Sequence, residues 1–553
     1  MTSTVTPLDV SGRSAPARIV PDAFTGTGTL VRFGLRRDRV RMSLWLLALT
    51  LGTLITAAQY KTLYSTPEER AAAVSSMDSP AALAMTGPRH YLSDYTAGAM
   101  LGHQMLGFMA VLVGLMSVLI VTRHTRDEEE TGRAELVRST VVGHHAQLAS
   151  ALALAAVANL ALALLLALGL TTTGIDGIGP GGALLYGLTH AAIGLVFAGV
   201  AAVTAQITAH TRGASGMALA VIGVAYVLRA SGDVGDDALS WLSPIGWIQR
   251  TYVFVDNRWW PLGLCLVLAA LTAAYGFALS TRRDVGAGLR AARLGRRTAS
   301  DALTRPFGFA LRLHRATLLG FGAGLCLMGV MYGSILGEAA DMVKDIDQIQ
   351  EALARIGGST VAESFASMVM VVVAVVAAVY VVMAALRPRA EENAGRAEPL
   401  LATGLSRDRW LGGHVAVALA GGTVLMVLAG LSFGLSGAAS AGDGDLVLEL
   451  VGAAAAYAPA LWVTVGVAVL LFGWFPRAGV AAWIVPVYAF LVGYLGPILQ
   501  LPDWTKNLSP FGHVPQLPAA GMNWTPLLVL TAVAAGLILL GLAGFRLRDL
   551  DTK

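Results

Sequence analysis

Two charged segments of the same pattern interrupt an otherwise apolar chain. RDEEETGRAELVRST runs from Arg126 to Thr140 and RAEENAGRAEPLLAT from Arg389 to Thr403. Aligned on their glycines, Glu128, Glu129, Gly132, Arg133 and Glu135 meet Glu391, Glu392, Gly395, Arg396 and Glu398. About half of the aligned positions are identical. Read as helices, Glu129–Arg133 and Glu392–Arg396 are i,i+4 pairs in the favourable acid-before-base order. A glycine inside a helix costs about 1 kcal/mol, so its appearance twice at one place predicts that another surface approaches the backbone there. A polar loop kept in duplicate while the apolar runs around it drift reads as a docking element. The plainer alternative is a solvated loop whose charges only set topology.

Other chemistry finds little support. No G-x-x-x-x-G-K occurs, and a phosphate-binding loop needs that lysine and its glycine-rich cradle. His144 and His145 are adjacent, so on a helix they point about 100° apart and read as an exposed pair rather than metal ligands. Cys265 and Cys326 lie in apolar runs without ligand or redox spacing and read as small buried hydrophobes. No hydrolytic triad, metal site or redox cofactor is indicated, and a net charge of +4 is no nucleic-acid footprint. Within the apolar runs stand His103, Gln104, Asn159, His190 and Gln206, but no clearly mid-span Asp or Glu. Proton-coupled pumps usually place carboxylates there. Met105, Phe108, Met109 and Met116, with Met368, Met370 and Tyr380, are candidates to line an adaptable apolar pathway together with His103. Ordinary helix packing or lipid contact is the alternative for each.

The elements that hold these residues follow from composition. The chain has 553 residues, 55% hydrophobic and 13% charged, with mean hydropathy +0.65. Soluble chains carry about 25% charged residues, so this is an all-α, polytopic membrane protein. Spans of about 20 residues fall near 42–59, 96–122, 145–170, 183–208, 213–229 and 259–280. A second set falls near 316–336, 364–386, 408–435, 447–474, 478–498 and 524–543. No cleavable signal is visible, and residues 1–27 read as a disordered tail. The two halves, 28–280 and 309–553, are joined by a basic linker, 281–308, with Arg282, Arg283, Arg290, Arg293, Arg296 and Arg297.

Further markers recur at an offset of about 265. Leu508-Ser509-Pro510-Phe511-Gly512 answers Leu242-Ser243-Pro244-Ile245-Gly246, and Gly544-Phe545 answers Gly276-Phe277. Six spans per half make the repeats parallel, about an axis along the membrane normal. LVRFGLRRDRVR, Leu30 to Arg41, reads as an interfacial helix or as an ordinary juxtamembrane basic cluster. Arginine bias places both termini, both charged segments and the linker in the cytoplasm. The loop after the seventh span is acidic, with Glu338, Asp341, Asp345, Asp347 and Glu351. Trp241, Trp247, Trp259, Trp260, Trp504 and Trp524 then form an outer aromatic belt.

With these motifs the chain resembles a duplicated permease subunit of the ABC type-two exporter class, in the form found in actinobacterial antibiotic and multidrug efflux systems. Each half of such a permease carries an interfacial connecting helix, a cytoplasmic coupling helix between its second and third spans, and a re-entrant element before its sixth. LVRFGLRRDRVR, EEETGRAEL and LSPIGW stand at those places, and FALRLHRA, EENAGRAEP and LSPFGH repeat them. The resemblance implies a plasma-membrane exporter of hydrophobic or amphiphilic small molecules without an ATP site of its own. Two copies of a separate ATPase, which binds ATP and Mg, would dock on the coupling helices. The coupling residues it implies are Glu128, Glu129, Gly132, Arg133 and Glu135, and Glu391, Glu392, Gly395, Arg396 and Glu398. Pro399 departs from the first copy and disfavours helix at Glu398, so the second coupling helix is expected to end early. A proton-driven twelve-span drug antiporter is the runner-up.

Overall fold

A computed structural model describes residues 22–235, 237–284, 286–290, 297–334, 336–337, 361–493, 502 and 504–549. The acidic loop expected after the seventh span, most of the expected tail, and Arg293 and Arg296 lie outside them. Helices dominate, and no strand occurs among the described residues. The chain divides into two units, Met1–Leu294 and Gly295–Lys553. Unit 1 holds α1 (Thr27–Leu63), α2 (Ala97–Glu130), α3 (Ala146–Thr172), α4 (Pro180–Ile207), α5 (Thr211–Val234) and α6 (Trp260–Ser280). Unit 2 holds α7 (Pro306–Ser334), α8 (Ala362–Asn393), α9 (Arg407–Ala441), α10 (Leu446–Trp474), α11 (Pro476–Gly493) and α12 (Trp524–Leu547). All twelve are long and apolar enough to cross a bilayer.

Their surfaces are those of lipid-facing helices. On α1, Leu44, Leu47, Leu51 and Ile55 are exposed while Leu49, Thr53 and Ala57 are buried. That spacing gives one inward and one outward stripe, and both stripes carry apolar residues. On α3, Leu160, Leu164 and Leu168 stand exposed in the same way. An aqueous surface rarely shows apolar stripes of this length; a hydrocarbon solvent accepts them. Each unit buries its own core. In unit 1 it runs through Val113, Leu162, Tyr186 and Phe197, and in unit 2 through Val373, Leu425, Leu461 and Phe472.

The basic segments before the first and seventh spans are not separate interfacial helices. Residues 27–63 form one helix of 37 residues, about 55 Å long against a hydrocarbon core of about 30 Å. No proline stands between Leu30 and Gln59 to break it, so the basic segment is its first turns. α7 likewise runs unbroken for 29 residues from Pro306, where the ring tolerates a helix start. The buried Asp38 of α1 ties these turns to α2: its Oδ2 lies 2.7 Å from His124 Nε2 and its Oδ1 3.1 Å from Arg123. In the second copy His314 stands in the place of Asp38, and its Nε2 lies 3.0 Å from Nδ1 of His414 on α9.

The Leu-Ser-Pro marker folds alike in both units. Ser243 Oγ accepts from the Ile245 and Gly246 amides and caps a helix over Pro244–Gln249. Ser509 Oγ accepts from the Phe511 amide and caps a short turn over Pro510–His513. A Cβ at Gly246 would clash with the Ser240 carbonyl, and one at Gly512 with the Lys506 carbonyl. The marker therefore records a serine cap and a close backbone approach.

Candidate functional site

Both charged segments begin on the last turns of a span. α2 passes through two π-helical stretches, Leu101–Met105 and Arg123–Asp127, and ends at Glu130. Gly132 follows in the left-handed region at φ 74°, then a short helix over Arg133–Arg138. α8 ends at Asn393, Gly395 is left-handed at φ 68°, and a short helix covers Ala397–Leu401. The glycines are thus the breaks between two helices and not mid-helix residues. Left-handed backbone costs an ordinary residue about 1–2 kcal/mol, which accounts for glycine at both places. Apart from the flanking residues, no atom among the described residues lies within 4 Å of where a Cβ would stand at either. Pro399 does not stop the second short helix. It sits in the first turn, where an amide has no intrahelical acceptor, and the helix continues to Leu401.

The break rearranges the expected pairs. Glu129–Arg133 and Glu392–Arg396 do not form. Arg133 instead reaches Glu128 at 3.4 Å, and Arg396 reaches Glu391 at 2.6 Å, the same i,i+5 pair in both units. Hydrogen bonding to Glu391 holds the Arg396 guanidinium above its ordinary pKa.

The glutamates expected to face outward are largely turned inward. Glu129 is 3% exposed and accepts from Arg283 at 2.8 and 2.9 Å, from Arg126 at 2.9 Å and from the Gly286 amide at 3.3 Å. Arg126, fully buried, also donates to the carbonyls of Ala205, Gln206 and Ala287. The end of α2 is thereby bolted to the end of α4 and to the chain just past α6. Unit 2 repeats the clamp: Glu392, 6% exposed, accepts from Arg548 at 2.6 and 2.8 Å. Glu128 binds Arg37 of α1 at 2.7 Å, and Glu391 binds Arg387 at 2.9 Å. What remains open to an outside partner is the far side of each break: Arg133, Glu135 and Leu136 in unit 1, and Arg396, Glu398 and Pro399 in unit 2.

Arg283 and Arg548 were legible only as linker and tail charges. They lie seven residues past Gly276 and four past Gly544, so aligning the halves on those markers does not pair them. Glu130 was also missed; its Oε2 accepts from the Thr211 amide at 3.0 Å and from the Thr211 hydroxyl at 2.7 Å, fixing the loop to the start of α5.

Within their own units the candidate pathway residues have unlike surroundings. His103 is buried and hydrogen-bonds Tyr95 Oη and Thr86 Oγ1 at 3.0 and 3.1 Å. Met109 and Tyr380 are packed in the cores of their units, Met105 and Met368 are half-buried, and Phe108 is exposed. Asn159, His190 and Gln206 bind backbone carbonyls of their own helices. A cavity in unit 1 lies nearer the charged segment. It measures about 380 Å³ between α1, α2 and α5, and Met42, Trp45, Met116, Leu119 and Ile120 supply its apolar wall. Of the candidates weighed from sequence, Met116 alone lines it.

At the other end of unit 1 stands a buried polar group that the span boundaries concealed. α5 runs to Val234, and Asp233 in its last turn is fully buried between Arg229 and Arg250, each at 3.5 Å, with Ser240 Oγ at 2.8 Å. Arg229 and Asp233 have no acidic or basic counterparts at the offset of the repeat.

Comparison with known proteins places this architecture. A family model described as the multidrug efflux system permease Rv1217c, C-terminal domain, matches residues 29–279 and 303–546. The multidrug efflux system permease protein Rv1217c of Mycobacterium tuberculosis (strain ATCC 25618 / H37Rv) is 40% identical over 543 residues, which cover 98% of this chain and 97% of that protein. With twelve candidate spans and a match across both units, the chain belongs to the Rv1217c family of multidrug efflux system permeases.

Proposed function

We propose that this chain is the membrane subunit of an ATP-driven exporter of hydrophobic or amphiphilic small molecules. Two copies of a separate ATPase, which binds ATP and Mg, dock on the exposed helices that follow Gly132 and Gly395, on the cytoplasmic side with both termini. One observation carries this reading. The same geometry recurs in two units: a left-handed glycine, a buried glutamate clamped by an arginine past the unit's sixth span, and an exposed short helix beyond. A loop that only set topology would not need to be bolted to span ends. The clamp gives a docked ATPase a rigid lever on α2, α4 and the chain beyond α6.

The proton-driven alternative has one feature in its favour, the buried carboxylate of Asp233. The two readings separate in efflux from vesicles. Drug export that needs ATP and persists when a protonophore collapses the gradient supports the ATPase reading. Export that stops with the protonophore at constant ATP, and that Asp233→Asn abolishes, overturns it.

A further inference from the structure

The cavity between α1, α2 and α5 is within the size range of small-molecule sites, about 300–1,000 Å³. Its wall is apolar and adaptable, lined by Trp45, Met42 and Met116. Its polar end carries four charges: Asp38, Arg41, Arg123 and Asp127. Two of them cancel, because Arg123 binds Asp38 at 3.1 Å. Arg41 and Asp127 have no ion-pair partner among the described residues, so the cavity offers one free charge of each sign. A purely cationic guest would leave Arg41 facing it, and a purely anionic one would face Asp127. A guest with both charges satisfies both.

We propose that this cavity loads a zwitterionic amphiphile from the bilayer leaflet on the side of the charged segments. The tail packs against Trp45 and Met116, and the head lies between Arg41 and Asp127. The proposal rests on the export reading and names the substrate class and loading site for it. The wall is also wired to the docking loop. Thr211, which lines the cavity, gives its amide and hydroxyl to Glu130. A guest that shifts the start of α5 therefore pulls on the segment ahead of Gly132.

The test is photo-crosslinking of the full-length permease in nanodiscs, without ATP or partner. Three probes share one diazirine-bearing alkyl chain and differ in head: phosphocholine, trimethylammonium and phosphate. Saturable labelling of the segments holding Trp45 and Met116 is expected, with the phosphocholine probe favoured about tenfold over either other, the scale of one partly screened charge–charge contact. Arg41→Gln should bring the trimethylammonium probe level with phosphocholine, and Asp127→Asn should do so for the phosphate probe. Equal labelling by all three heads in the native protein overturns the proposal. So does unsaturable labelling spread over lipid-facing residues such as Leu160 and Leu164. Because no ATP is present, loss of this labelling leaves ATP-driven efflux to be judged separately, and loss of efflux leaves the labelling readable.

Discussion

Arg283 grips Glu129 through two contacts, Nη2 to Oε1 at 2.8 Å and Nη1 to Oε2 at 2.9 Å, with the side chains 7% and 3% exposed. Removing one partner of a buried pair strands the other, at a cost of about 3–5 kcal/mol. Arg126 still faces Glu129, so Arg283→Leu should sit at the low end of that range. Arg548→Leu should act likewise on unit 2. The measurement is the thermal midpoint of the purified permease. An unchanged midpoint in both variants would mean that the clamps hold nothing.

Gly132 and Gly395 separate backbone conformation from steric approach. If left-handed backbone is the requirement, Gly132→Asn should retain partner binding, since asparagine visits that region readily, while Gly132→Val should lose about 1–2 kcal/mol of stability. Binding of the partner ATPase and the unfolding midpoint are read on the same preparations. Loss of binding in Gly132→Asn at unchanged stability would instead mean that a partner's surface needs the space.

Ser243 and Ser509 cap the Leu-Ser-Pro turns, and alanine at a cap costs about 1 kcal/mol. Ser243 Oγ also donates to the Ala225 carbonyl at 2.6 Å in a buried setting. Ser243→Ala should therefore exceed Ser509→Ala by about another 1 kcal/mol. Amide exchange over Pro244–Gln249 should quicken in the first variant. Equal effects of the two would remove the Ala225 bond from the account.

Asp233 predicts an asymmetry between the units. Asp233→Asn leaves Arg229 buried beside a neutral amide, while Arg250 keeps Asp237 at 2.7 Å, and should lower the midpoint on the scale of about 3 kcal/mol. A change of less than about 0.5 kcal/mol, the usual surface value, would contradict the burial seen here.

Much of the fold was open to reading from sequence because a bilayer imposes a simple rule: long uncharged runs become helices. The duplication was visible because its markers are short and polar, and the structure gives several of them a local reason, such as the Ser243 cap and the left-handed Gly132. Helix continuity was not legible. Nothing in LVRFGLRRDRVR says whether its helix stops before Met42, since arginine and leucine favour helix equally well. The charged segments were found, but Glu128, Glu129, Glu391 and Glu392 turn inward to arginines while Glu135 and Glu398 stay exposed. The left-handed glycine undoes the i,i+4 register on which the pairing of Glu129 with Arg133 depended. Asp233 was missed because the fifth span was ended at Arg229, the residue that pairs with it. The clamps needed partners more than 150 residues away, and no local pattern encodes those.

The central claim is that the exposed helices after the two glycines dock an ATPase. The direct measurement is co-purification of that ATPase with a permease carrying Glu135→Lys and Glu398→Lys. Both side chains are exposed, so membrane levels should stay normal, as surface substitutions usually shift stability by about 0.5 kcal/mol or less. Reversed charges at an interface cost several kcal/mol, so ATPase recovery and ATP-driven efflux should fall together by about a hundredfold or more, each 1.4 kcal/mol being tenfold. Native recovery of the ATPase and native efflux from this variant would contradict the account.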